Sequence, residues 1–195
     1  MTNLPLRTAY VLLAAGAGER FSGPVHKLLA PIRGTPVLTL SVRAMTEAGG
    51  ADCTVILGAD TSAGILEALE GCTTVSNPDW RSGQRSSVLR AIESAREAGA
   101  DQVVIGLGDQ PFVGAQSWRA VAGADAPIAV ATHDGRRGNP VKLRSDVWEL
   151  FETTEGDPDA GARTLMHMRP ELVVEVACQG SSEDIDTRED LTKWI

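Results

Sequence analysis

A rhythm in the sequence limits the fold more than any other feature: short, nearly continuous apolar runs rich in β-branched residues alternate with longer stretches whose apolar positions recur at helical spacing. Thr8 to Ala15, Cys53 to Leu57 and Gln102 to Leu107 are such runs, and Thr73 to Ser76 is a weaker one. Runs that are apolar at successive positions suit strands covered on both faces, which is the condition of a parallel sheet. Between them, Pro36 to Ala48 places Val37, Leu38, Val42 and Met45 at helical intervals and stops at the Gly49-Gly50 pair. Ser62 to Leu69 and Ser86 to Ala98 repeat that amphipathic spacing behind serine caps. Strand and helix in alternation predict βαβ units and an α/β fold with a mostly parallel sheet.

Beyond Asp109 the rhythm loosens. Pro127 to Thr132 and Gly138 to Leu143 flank the turn His133-Asp134-Gly135, as a hairpin or a longer crossing would. Ser145 to Thr153 and Ala160 to His167 read as helices, Leu172 to Val176 as a strand, and Thr187 to Trp194 as a helix capped by Thr187 with Asp190 at its third position. No repeat, low-complexity stretch or shift in composition divides the chain, so residues 1–195 are expected to form one domain, as their length also suggests.

Composition removes several classes of function. With 18 basic against 26 acidic residues the net charge is −8, which disfavours a diffuse basic face for nucleic acid, and aromatics at 4% leave few rings for stacking bases. Tyr10 to Ala15 is far too short to span a membrane, and Met1 to Thr8 lacks the regions of a signal peptide, so the chain reads as cytoplasmic. Cys53, Cys72 and Cys178 are odd in number and scattered, which speaks for buried thiols rather than disulfides or a zinc site. His26, His133 and His167 show no ligand spacing and no nucleophile partner.

The segment carrying most chemistry is Leu12 to Arg20, a buried strand ending in Gly16 and Gly18 and followed by Arg20 and Lys27. Glycines allow close backbone approach, exposed amides ring an anion and the cations neutralise it, so phosphate is the expected ligand. Two rival phosphate motifs fail. A dinucleotide fingerprint would need Gly where Phe21 stands, and a GxxxxGK[ST] loop would need a Gly-Lys pair that the sequence does not contain.

At this point the residues resemble the MobA-like and MocA-like nucleotidyltransferases, most closely the molybdenum cofactor cytidylyltransferases. The opening LAAGxSxRxG and KLL elements of that family look like Leu13 to Phe21 and Lys27-Leu28-Leu29. Its NPxWxxGxxSS segment is similar to Asn77-Pro78-Asp79-Trp80 with Gly83 and Ser86-Ser87, and its LxDxP segment to Leu107 to Pro111. Gly138-Asn139-Pro140-Val141, Gly156-Asp157 with Gly161-Ala162-Arg163, and Asp184 to Asp190 resemble its GNPV, GDxGAR and DIDTPED elements in order.

That resemblance implies a single-domain, Rossmann-like three-layer fold of the nucleotide-diphospho-sugar transferase type. It implies transfer of a nucleoside monophosphate from a triphosphate, with CTP favoured and GTP the alternative, to a molybdopterin-type acceptor with release of pyrophosphate. The expected cofactor is Mg²⁺ and the expected protein partner a molybdoenzyme or its chaperone. Arg20, Lys27 and Asp109 would then be catalytic. Ala14, Ala15, Gly16, Gly18, Gly83, Ser86 and Ser87 would receive the nucleotide, and Asn139, Asp157 and Arg163 the acceptor. Asp109, at the carboxyl end of a strand, would bind the metal with Asp184 or Asp186, between which spacing does not choose. Ser86 and Ser87 equally suit the cap of the helix that follows. Phe21 to His26 stands where many members have Met-Gly, and Arg85 and Arg188 replace what are often an apolar residue and a proline. Two rival readings stand beside it: a cytidylyl or guanylyl transferase for a different phosphorylated acceptor, such as an isoprenoid precursor or a sugar phosphate, and a non-catalytic carrier of the same nucleotide or cofactor, which would leave Arg20, Lys27, Asp109 and Asp186 dispersed.

Overall fold

A computed structural model describes residues 6–22, 25–50 and 53–194. Strand β1 (Thr8–Ala14) leads to a small ribbon, β2 (Pro31–Ile32) and β3 (Thr35–Pro36), then α1 (Val37–Gly49), β4 (Cys53–Leu57), α2 (Ala63–Ala68) and β5 (Thr73–Ser76). Then come α3 (Gln84–Glu97), β6 (Gln102–Leu107), α4 (Ala115–Gly123), β7 (Ile128–His133), β8 (Arg136–Arg144), α5 (Trp148–Thr153), α6 (Arg163–Met168), β9 (Val173–Ala177) and α7 (Arg188–Thr192).

Seven strands form one sheet in the order β5-β4-β1-β6-β8-β7-β9. β1 pairs in parallel with β4 and β6, and β4 with β5, so these strands all end on one edge. β8 is the antiparallel member, paired with both β6 and β7, and β9 returns parallel to β7. The segment around His133-Asp134-Gly135 is therefore a hairpin.

Successive residues of β1 face opposite sides, which divides the core in two. Leu12 and Ala14 join Leu38, Met45, Trp118 and Val121 on the side of α1 and α4. Val11 and Leu13 join Val88, Ile92, Trp148, Phe151 and Leu165 on the side of α3, α5 and α6. The three layers are those the sequence leads one to expect of an α/β chain. Among the described residues no helix is long and apolar enough to cross a membrane.

Some elements depart from the sequence reading. α4 was not anticipated, because its buried face consists of Ala115, Ser117, Trp118 and Val121, a weak apolar signal. Ser117 tolerates burial by donating its hydroxyl to Gln179 O at 3.2 Å. The helix expected over Ala160 to His167 begins only at Arg163, after a 3-10 turn at Pro158–Ala160 whose cap is Asp157. Thr187 and Asp190 form the full capping box over α7. Arg85 donates to the carbonyls of Phe151, Glu152 and Thr154 and lies over the Phe151 ring, so it closes the end of α5.

Candidate active site

The carboxyl ends of β1 and β6 lie side by side, and the backbone past each is tied to its neighbour. Gly108 N donates to Leu13 O at 2.9 Å, and Ala59 N to Ala15 O at 3.1 Å. The turn after β1 needs Gly18 at φ +65°, where a Cβ would also press on Lys27 Cγ at 3.1 Å. Phe21 N closes that turn on Gly18 O at 2.9 Å while the Phe21 ring is buried. Lys27 opens a 3-10 turn capped by His26, whose Nδ1 accepts from Leu28 N at 3.3 Å. Buried Leu28 anchors this turn from below, so the Lys27 stem is fixed from both sides.

Lys27 is the hub of the charged centre. Its Nζ donates to Asp109 Oδ2 at 2.6 Å and to Asp186 Oδ1 at 2.8 Å, while Arg20 Nη2 reaches Asp186 Oδ2 at 2.8 Å. Burial alone would lower the Lys27 ammonium, but the charge of Asp109 and hydrogen bonds to both carboxylates outweigh it and hold it above its ordinary value. Ile185 explains how residues so distant in sequence meet: its side chain is fully buried and its N–H donates to Asp109 O at 2.9 Å. Asp184 and Asp186 flank that anchor and take different surroundings. Asp184 accepts from Gln110 Nε2 at 2.8 Å and is pushed up to about 6, first by burial and then by the charge of Asp109.

Two cavities open along this edge of the sheet. The larger, about 910 Å³, is lined by Ala15 to Arg20, Lys27, Trp80, Gly83, Ser87, Asp109 and Asp186. The smaller, about 560 Å³, has an aliphatic floor including Val88, Val130 and Met166 and a polar rim including Arg137, Asn139, Arg163 and Asp184. Leu13, Gln84 and Leu107 line both, so the cavities adjoin.

Most of the residues singled out in the sequence therefore fall on one cavity or the other. Ala15, Gly16, Gly18, Arg20, Lys27, Gly83, Ser87, Asp109 and Asp186 lie on the larger; Asn139, Arg163 and Asp184 lie on the smaller. Three lie on neither. Ala14 is buried in the core, Ser86 donates to Asp79 O and Gly83 O, and Asp157 accepts from Asp159 N at the turn it caps.

Several contributors were given no site role by the sequence, although Asn77 and Gln110 lie within segments that carry the resemblance. Asn77 is buried and donates to Ser86 Oγ at 2.9 Å and Ser87 Oγ at 3.0 Å, fixing both serines. Gln110 donates to Ser182 O and Asp184 Oδ1, orienting the acidic segment against Asp109. Gln84 forms part of the wall between the cavities. Arg81, stacked 4.4 Å over the Trp80 ring, adds a cation to the larger cavity.

The donor set fits a hard divalent cation. Asp109 and Asp186 converge on one point, and Asp109 Oδ1 is buried with no hydrogen-bond partner among the described residues. Among the described residues no three His, Cys, Asp or Glu side chains form a metal cluster, so phosphate and water oxygens would have to complete the shell. Magnesium is commonly held in that manner, by one or two carboxylates together with substrate phosphates.

Comparison with known proteins places this geometry. The chain is 32% identical over 158 residues to the bifunctional protein GlmU of Sinorhizobium fredii, covering 80% of this chain and 31% of that protein. The chain thus spans about a third of the length of the GlmU relatives it matches. It is 31% identical over 110 residues to 2-C-methyl-D-erythritol 4-phosphate cytidylyltransferase of Cereibacter sphaeroides, covering 55% of this chain and 49% of that one. In structure it is similar to Rv0371c from Mycobacterium tuberculosis H37Rv, with a TM-score of 0.79, 26% identity and coverage of 98% of each chain. Rv0371c is also solved as a complex with manganese. A family model described as the MobA-like NTP transferase domain matches residues 10–174, and with the paired cavities at the carboxyl ends of the strands this assigns the chain to the MobA-like NTP transferase domain family.

Proposed function

We propose that this protein is a nucleotidyltransferase that moves a nucleoside monophosphate, by preference CMP, from its triphosphate to a phosphorylated acceptor of the molybdopterin type. The observation that carries this reading is the convergence of Arg20, Lys27, Asp109 and Asp186 on a cavity that adjoins a second, partly apolar one. A carrier needs no such convergence, so the same observation favours catalysis. The cytidylyltransferase among the relatives supports CTP as donor. The aliphatic floor and polar rim of the smaller cavity suit an acceptor with a flat body and an anionic arm.

In this reading the triphosphate lies across the amides of Ala15 to Gly18, with its base toward Gly83 and Ser87 and its phosphates toward Arg20 and Lys27. Asn139 and Arg163 hold the acceptor phosphate on the other side of Gln84. An acceptor oxygen forms a bond to the α-phosphorus, the bond from that phosphorus to the bridging oxygen breaks, and pyrophosphate departs. Positioning and charge neutralisation are the protein's share of such a reaction. Asp109 and Asp186 would hold Mg²⁺, which when bound supplies charge to the polyphosphate. Asp157 acts through the turn it caps, Ser86 through its hydrogen bonds to Asp79 O and Gly83 O from the first turn of α3, and Asp184 through its place on the acceptor rim.

The test is equilibrium binding of CTP, GTP, ATP and UTP with Mg²⁺, followed by turnover with molybdopterin. CTP is expected to bind best, and Lys27→Ala to lower turnover by roughly 10²-fold or more. Failure of every nucleotide to bind would refute the assignment.

A further inference from the structure

We infer that Lys27 is the resident cation of the Asp109–Asp186 pair, and that a divalent ion can take that place only by displacing the lysine ammonium and releasing it, with Arg20, toward the bound polyphosphate. The inference rests on the cation site of the proposed function and adds an exchange to it.

The argument begins with space. Lys27 Nζ lies 2.6 Å from Asp109 Oδ2 and 2.8 Å from Asp186 Oδ1, so one ammonium already fills the point on which both carboxylates converge. A magnesium ion draws its oxygens to about 2.0–2.1 Å in a rigid octahedron and does not share that volume with a like charge. The Lys27 side chain is only 11% exposed, so its charge has no solvated alternative inside the cluster and leaving requires a new anion nearby.

Charge makes the exchange productive. Arg20 and Lys27 balance Asp109 and Asp186, so in formal terms the cluster is neutral and offers no surplus cation to a polyphosphate. A divalent ion that takes over the two carboxylates frees both side-chain cations at once, on the cavity where Gly16 and Gly18 lie. Arg20 is well placed to follow, since it is 77% exposed and touches the cluster only through Asp186 Oδ2. The metal alone should therefore bind weakly, because it must expel an ammonium that has nowhere to go, and nucleotide should relieve that competition.

The experiment measures Mn²⁺ binding to the full chain by paramagnetic resonance without nucleotide. Lys27→Met removes the competing charge, and Arg20→Met is the control that removes an equal charge from the side of the same site. Lys27→Met is expected to tighten Mn²⁺ binding by roughly tenfold or more, Arg20→Met by under about threefold, and Asp109→Asn added to Lys27→Met to abolish the gain. Equal effects of the two charge removals, or no tightening in Lys27→Met, would overturn the exchange. Loss of Mn²⁺ binding in every form would overturn the cation site itself, a result separate from whether nucleotides bind. A second measurement needs no variant: the chain has three lysines, Lys27, Lys142 and Lys193. In ¹⁵N spectra of their ammonium groups, Mg²⁺ alone should shift Lys27 and leave the other two. A Lys27 signal unmoved at saturating Mg²⁺ would likewise refute displacement.

Discussion

Gly83→Ala is the substitution whose consequences are most fully determined by the structure. Gly83 has φ +105° and ψ 171°, a region open to glycine and strained for any other residue by about 1–3 kcal/mol. A Cβ there would also stand 2.7 Å from Pro158 O and 2.8 Å from Asp159 Oδ1. The first contact is backbone, which cannot rotate away, so overpacking adds about 1–3 kcal/mol. Together these effects cost about 2–6 kcal/mol, a fall in Tm of about 4–24 °C for a domain of this size. The clash also forces the 158–160 turn away from the loop that carries Gly83 on the larger cavity, so under the proposed function nucleotide affinity should fall with stability. Gly16→Ala is the matched contrast. Among the described residues a Cβ at Gly16 meets nothing within 4 Å, so its Tm should stay within about 2 °C, yet Gly16 lines the larger cavity and an added methyl there should weaken nucleotide binding. Thermal unfolding and calorimetric nucleotide binding on both variants decide the matter. A Gly83→Ala protein that melts within about 2 °C of the parent would refute the reasoning.

Three further outcomes are expected. Gly106→Ala would place a methyl 2.6 Å from Trp118 Cη2, costing about 1–3 kcal/mol in denaturant unfolding, and Trp118→Phe in the same chain should recover at least part of it. Lys142 is buried and donates to Ala124 O, and burial pushes its ammonium below the ordinary 10.5. The unfolded chain therefore holds more protons between that lowered value and 10.5, so stability should rise with pH across that window and the rise should vanish in Lys142→Met, as read by unfolding at several alkaline pH values. Arg85→Leu leaves three carbonyls at the end of α5 without their donor and should cost about 1.5–3 kcal/mol in the same assay.

What the sequence discloses follows the strength of burial. β1, β4 and β6 were legible because both their faces are covered, and β5 was faint because it lies exposed on the sheet edge. α4 stayed hidden because a buried serine and alanine take the place of apolar residues on its inner face. At the site, the glycine turn and Lys27 could be read locally, whereas the partners of Lys27 lie 82 and 159 positions away. Spacing could not separate Asp184 from Asp186, since the buried Ile185 between them and the hydrogen bond from Gln110 determine what each one faces. Asn77, Gln84 and Gln110 act through geometry that only the folded chain supplies.

The contact between Lys27 and Asp186 also orders events in time. Closing a loop of that length is entropically expensive and gains nothing until the sheet beneath it exists. During synthesis Arg20, Lys27 and Asp109 emerge before Asp186, so until Asp186 is made the ribosome-bound chain carries both cations with only one of their two carboxylates. Strands that have already paired must wait for the acidic segment to dock through Ile185. Ligand affinity should therefore appear late and abruptly as the nascent chain lengthens past that docking segment, and not grow in proportion to the sheet.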